Sequence, residues 1–165
     1  MRLTKSDIKK MEDEIEYRKL TLRYELLEEV KETRAQGDLS ENFEYHAAKR
    51  AKNKNESRIR YLEKVIKTAQ IIDDSSNDGE VGINNQVTVL FEEDNEEEVY
   101  KIVTTIRGDS LHNLISIESP LGKALMGHKE GDRVEVFIEG GSSYFVKILN
   151  IENSTDDSDD RIRSY

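Results

Sequence analysis

Gly37-Asp38-Leu39-Ser40-Glu41-Asn42-Phe43-Glu44-Tyr45-His46-Ala47-Ala48-Lys49 joins two long helical patterns and decides how they are related. Gly37 is a natural helix end, and Gly37-Asp38-Leu39 is too short a connection for anything but antiparallel neighbours. Upstream, Thr4 as N-cap and Asp7 at the third helical position open a helix over residues 5–36, with Leu3 and Ile8 as a staple. Apolar residues then fall at Ile8, Met11, Ile15, Leu22, Leu26 and Val30, mostly in steps of three, four or seven. That is a narrow coiled-coil stripe, interrupted by Arg18 and Lys19. Downstream, a helix from about Ser40 to Ile71 sets Ala48, Lys52, Asn55, Ile59, Leu62, Ile66 and Ala69 on a four-three alternation. Each helix, at roughly 32 residues, spans about 48 Å. Residues 1–73 therefore predict a long antiparallel coiled-coil hairpin with an acidic tip, stabilised mainly at the end far from its turn.

Beyond a linker at residues 74–79 the period changes to strands. The runs are Gln86–Phe91, Val99–Ile106, Leu114–Ile117, Val134–Ile138 and Tyr144–Ile151, with an acidic hairpin loop from Glu92 to Glu98. Ser119 as N-cap and Pro120 at the first helical position open a short helix that Gly127 stops. Residues 80–152 thus predict a small strand-rich α+β domain. Residues 153–165 hold four aspartates and few apolar side chains, the composition of a disordered acidic tail.

The net charge of −10 is unevenly spread. Residues 1–72 carry 17 Lys and Arg against 14 Asp and Glu, a net of +3, while residues 73–165 carry 8 against 21, a net of −13. Such asymmetry points to two domains facing different partners, although an acidic surface also simply aids solubility. The absence of cysteine excludes disulfides and thiolate metal sites. No apolar run approaches a membrane span, and Met1 to Asp7 lacks a secretory core, so a soluble cytoplasmic protein without membrane contact is expected.

Three carboxylates, Asp38, Glu41 and Glu44, stand at spacings of three around the turn. One reading is local: Asp38 caps the second helix and Glu41 reaches back to it, with the macrodipole favouring both. The other is that the acids deliver metal-binding oxygens to another molecule, since the tip of so long a hairpin contributes little to folding. Basic residues frame them. Arg34 and Lys49, nearest the turn, suit a phosphate backbone. The wider run of Arg50, Lys52, Lys54, Arg58, Arg60, Lys64 and Lys67 suits either nucleic acid or ion pairs with Glu25, Glu28, Glu29 and Glu32 across the hairpin. His46, His112 and His128 lack metal-ligand spacing, Ser142 and Ser143 lack a base, and Gly108-Asp109 and Gly140-Gly141 fit no phosphate loop. A self-contained active site is not assembled, so a stand-alone enzyme is not expected.

The tip, Gly37-Asp38-Leu39-Ser40-Glu41-Asn42 with Glu44-Tyr45-His46-Ala47-Ala48-Lys49, resembles the signature of the bacterial GreA/GreB family of transcript cleavage and elongation factors. A second stretch resembles the C-terminal domain of the same family: Ser119-Pro120-Leu121-Gly122-Lys123-Ala124-Leu125-Met126-Gly127, then Lys129-Glu130-Gly131-Asp132 and a Val-x-Val strand. The resemblance covers roughly residues 1–151 and leans to the GreA branch. It implies an N-terminal antiparallel coiled coil followed by an FKBP-like domain. It further implies that the second domain, through Ser119, Pro120, Leu121 and Gly122, docks at the rim of the RNA polymerase secondary channel. The coiled coil then enters the channel as a monomer.

There, Asp38 and Glu41 help hold a Mg²⁺ beside the polymerase's own aspartates, and the polymerase cuts backtracked RNA. Arg34 and Lys49, with Arg50 and Lys52 behind them, guide the 3′ end of the RNA, and Asn42, Phe43, Glu44 and Tyr45 make tip contacts. Alone, two carboxylates bind Mg²⁺ weakly, so the factor itself need not be a nuclease. Phe43 departs from the pattern, being bulkier than the small residue associated with that position. This keeps open a secondary-channel regulator that does not promote cleavage, and, more distantly, a plain coiled-coil interaction protein.

Overall fold

The computed structural model describes residues 1–38, 41–154 and 156–164. The chain divides into two compact units: Ile8–Ala69, and Arg2–Asp7 together with the residues from Gln70 onward.

In the first unit one arm of a helical hairpin is α1 (Lys5–Tyr17, whose first residues belong to the second unit), a π-helical turn at Arg18–Leu22, and α2 (Arg23–Arg34). The other arm is α3 (Phe43–Thr68). Glu14 meets Arg58 and Arg18 meets Asn55, while Asn42 near the turn meets Thr33, so the arms run antiparallel. Met11, Ala48, Ile59, Leu62 and Val65 are buried between them, and Ile15, Leu22, Leu26 and Val30 are half-buried.

The break that Arg18 and Lys19 make in the apolar stripe is where the helix widens. The Arg23 N–H reaches back five residues to the Arg18 carbonyl, the i→i+5 bond of a π-turn. Asn55, buried at 3 % exposure, reads the same carbonyl through Nδ2 at 3.2 Å and accepts from Arg18 Nη1 at 3.0 Å. Arg58, also buried, donates Nε and Nη2 to both Glu14 oxygens at 2.9 and 3.2 Å. Among the basic residues of α3, Arg58 therefore pairs elsewhere than expected. Arg58 meets Glu14 rather than Glu25 to Glu32, while Glu56 and Glu63, on α3 itself, receive Arg23 and Lys19 from the first arm. The antiparallel register places Glu25 to Glu32 opposite the turn-proximal half of α3, out of reach of Arg58.

The second unit holds a parallel two-stranded pair, β1 (Arg2–Leu3) with β2 (Gln70–Ile71). It also holds a five-stranded sheet of β3 (Gln86–Phe91), β4 (Glu96–Val103), β5 (Leu114–Ser116), β6 (Arg133–Phe137) and β7 (Ser143–Glu152). The sheet order is β5-β4-β3-β7-β6, antiparallel except between β4 and β5, with an irregularity opposite Thr88 and Val89. Alternation puts Val87, Val89, Val134, Val136, Val146 and Ile148 into one core. The helix α4 (Pro120–Leu125) lowers Leu121 and Leu125 onto it.

The expected strands are present, with one shift. The acidic run extends β4 back to Glu96, and its far end turns into a 3-10 segment at Thr105–Arg107 instead of continuing to Ile106 as strand. The N-terminal box forms as expected: the Thr4 N–H donates to Asp7 Oδ2 at 3.0 Å and the Asp7 N–H to Thr4 Oγ1 at 3.2 Å. Asp7 does more than cap. Buried completely, it also accepts from Thr104 Oγ1 at 2.7 Å and Arg107 Nε at 2.6 Å.

The segment from Asp156 to Ser164 departs from the expected disordered tail. Asp160 is buried and accepts from Arg107 Nη1 at 2.7 Å and from Lys101. The Arg163 N–H donates to the Ile106 carbonyl at 2.7 Å. Composition misleads here because the segment borrows its cations and its core from β4 and the turn after it.

Candidate functional site

The hairpin turn is held by one asparagine. α2 ends with the Ala35 N–H on the Lys31 carbonyl and the Gln36 N–H on the Thr33 carbonyl. Gly37 follows at a φ of 138°, a conformation that costs other residues dearly. Asn42 then caps α3: its Oδ1 accepts from the Tyr45 N–H at 3.0 Å and its carbonyl from the His46 N–H at 3.1 Å. Its Nδ2 crosses to the Thr33 carbonyl at 2.6 Å, tying the two arms together. Thr33 is buried and returns its hydroxyl to the Glu29 carbonyl at 2.8 Å.

This corrects the local reading of the acids. The N-cap is Asn42, not Asp38, and α3 starts at Phe43 rather than Ser40. Asp38 and Glu41 precede the cap, and both are exposed. The helix end thus has its own capping residue in Asn42. Leu39 and Ser40, between them, lie outside the described residues. Glu44 occupies the first turn of α3, exposed, where a negative charge suits the macrodipole. Tyr45 is half-buried with its ring edge-on to His46, centroids 5.4 Å apart. Phe43 is 85 % exposed. An aromatic ring left in water at the tip is unexplained by the fold.

Arg34 closes α2 and is exposed; Lys49 and Arg50 are exposed on α3, and Lys52 is half-buried. The turn thus gathers acids at its end and cations about one to three turns behind on both arms. Among the described residues no group of three or more His, Asp or Glu is brought together as a metal cage. The donor set is two exposed carboxylates, hard oxygen ligands of the kind Mg²⁺ takes one or two at a time from a protein.

In the sheet unit Ser119 caps α4, accepting from the Gly122 N–H at 3.1 Å, and Pro120 sits exposed in the first turn. Leu121 and Gly122 are interior. A Cβ on Gly122 would fall 2.0 Å from the Ser116 carbonyl oxygen, so glycine is demanded by close backbone approach. Of the four residues expected at a docking face, Ser119 and Pro120 present surface, whereas Leu121 and Gly122 shape it from beneath.

Residues that the sequence did not single out are Thr33, Arg107 and Asp160. Only Thr33 carried a signal, as a β-branched hydroxyl residue one turn before a helix-ending glycine.

Residues 1–71 match the family described as "Transcription elongation factor, N-terminal", and residues 76–153 match "Transcription elongation factor, GreA/GreB, C-term". The chain is 43 % identical over 141 residues to a protein of Brucella anthropi named transcription elongation factor GreA, covering 85 % of this chain and 90 % of that one. It is 41 % identical over 153 residues to a protein of the same name from Lachnoclostridium phytofermentans, covering 92 % and 95 %. Among solved structures it is similar to the GreA factor homolog 1 of Thermus thermophilus, at 24 % identity, 93 % and 99 % coverage and a TM-score of 0.42. Among the described residues no helix is long and apolar enough to cross a membrane.

Proposed function

Because the chain belongs to the GreA/GreB family of transcription elongation factors, we propose that it binds the RNA polymerase secondary channel and stimulates Mg²⁺-dependent cleavage of backtracked nascent RNA. The observation that carries this reading is the division of labour at the turn. Asn42 caps the helix and ties the arms, which leaves Asp38 and Glu41 exposed ahead of it. Two carboxylates at the far end of a hairpin form half a cation site, to be completed by a partner.

In this mechanism the polymerase supplies the active site and the factor is not itself the enzyme. Asp38 and Glu41 would hold Mg²⁺ jointly with polymerase carboxylates, and the ion's contribution is to stabilise charge on the oxygens of the phosphodiester under attack. Arg34 and Lys49, with Arg50 and Lys52 behind them, meet the RNA backbone and orient its 3′ end. Glu44 stabilises the start of α3 and, with Asn42 and Tyr45, contacts the channel. Ser119 and Pro120 belong to the docking face at the channel rim. The factor acts as a monomer in the cytoplasm, where its partner is.

The test is a stalled, backtracked elongation complex. The wild-type protein should stimulate Mg²⁺-dependent cleavage. Asp38→Ala and Glu41→Ala should each reduce it at least hundredfold while polymerase binding persists. Undiminished cleavage in both variants sinks the metal role.

Phe43 favours a second reading. A bulky exposed ring beside the acids suits a factor that occupies the channel and regulates without cleavage. Inhibition of cleavage, relieved by Phe43→Ala, would select it.

A further inference from the structure

The residues from Asp156 to Ser164 lie beyond the stretch that matches the family, which ends at residue 153. Of these, Asp159 to Ser164 form one wall of an open groove of about 1100 Å³ on the sheet unit, whose other wall includes Arg107, Asp109, Leu111, Ile115 and Ser119. Their seating has the grammar of peptide recognition. The Asp160 carboxylate enters a pocket between two cations, 2.7 Å from Arg107 Nη1 and about 3 Å from Lys101 Nζ. Lys101 also donates to the Asp156 carbonyl at 2.8 Å. Three residues on, the Arg163 N–H is taken by the Ile106 carbonyl, and Ile162 between them is half-buried. Arg107 is held from the other side by Asp7 Oδ1 and Asn84 Oδ1, each at 2.6 Å. Its buried Nη2 has no hydrogen-bond partner among the described residues.

We propose that the Arg107–Lys101 cleft is a recognition site for an extended acidic peptide, that residues 156–164 are its resident ligand in cis, and that this strap, which walls the groove lined by Ser119, controls access to the polymerase-facing edge there. The control rests on the docking role given to that edge above; the groove stands on its own contacts. A cationic pocket, an aspartate that fills it and main-chain hydrogen bonds at Asp156 and Arg163 are made by side chains and a turn rather than by the strand ladder, so the contact can open without unfolding the sheet. A tethered ligand also competes at high effective concentration, so the strap stays down until the partner arrives.

The experiment uses the full chain carrying Asp160→Asn, in which Asp7 still neutralises Arg107. Trypsin cuts after Arg161 and Arg163, so tail release reads out directly. Cleavage there should quicken more than tenfold in the variant, while the thermal melt of the sheet unit stays within a few degrees. Affinity for core RNA polymerase should rise severalfold. An excess of a synthetic peptide of residues 153–165 should reverse that gain, and the same peptide carrying Asp160→Asn should not. Equal trypsin rates overturn the strap. Unchanged or weaker polymerase affinity overturns its control of docking. Polymerase binding by neither protein overturns the docking reading and that control with it, while the trypsin rates alone judge the groove.

Discussion

Asn42 is the residue on which the tip depends, because one side chain satisfies both the first turn of α3 and the last carbonyl region of α2. Asn42→Ala should lower stability by about 1 kcal/mol, the usual loss for a removed N-cap. Amide exchange at Tyr45 and His46 should quicken, and transcript cleavage should fall, although Asn42 holds no metal. Unchanged exchange at those amides would show that the cap is dispensable. The sequence made the acids visible but assigned the cap to the wrong residue. Asp38, Ser40 and Asn42 are all good capping types, and composition cannot rank three candidates within five positions. What decides is the crossing to Thr33, a contact between the arms that no local pattern encodes. Likewise Leu121 and Gly122 belong to a recognisable motif, yet burial separates them from Ser119 and Pro120.

At the scale of the element, the hairpin is polar at its middle. Arg58 and Glu14 form a largely buried pair, joined by Arg18, and Asn55 bonds to the widened backbone at Arg18. Burial pushes the Glu14 carboxyl up, but the hydrogen bonds and charges of Arg58 and Arg18 outweigh it and hold it below its ordinary 4.5. Hydrogen bonds from Arg23 lower Glu56 in the same way. Since both folded values are depressed, the stabilisation is complete above the unfolded carboxylate range and is lost as pH falls through the folded values. Far-UV helicity should therefore be level from pH 7 to 5 and thermal stability should decline below about pH 4.5. Glu14→Gln should flatten that decline and destabilise by about 2 kcal/mol, less than a wholly buried pair because Glu14 is partly exposed. A decline of the same size in the variant would remove Glu14 from the account. The two arms and their direction were legible in the apolar spacing and in the short turn. The π-turn was legible only as a fault in that spacing, since one inserted residue and two polar residues leave the same trace in a sequence.

Across the whole molecule, the two chain ends close the sheet unit from both sides. Asp7 and Asp160 stand on either side of the buried guanidinium of Arg107, with Lys101 completing the charge balance. Asp7→Ala should cost about 3–5 kcal/mol, because it leaves a buried charge underpaired. Urea unfolding of the sheet unit should report it, and a loss under 1 kcal/mol would show that Asp160 suffices. The strands were readable from alternation, but this closure was not: it joins residues 53 to 100 positions apart, and its members look like surface charges in sequence. One consequence follows from the pairing of β1 with β2. The chain leaves the sheet unit after Asp7, shortly past β1, and re-enters it at Gln70, where β2 begins. Residues 8–69 are thus a cassette spliced into a host at a single seam. Hairpins should be exchangeable between relatives at that seam and, on the function proposed above, each chimera should keep the host's docking and acquire the donor's chemistry at the tip.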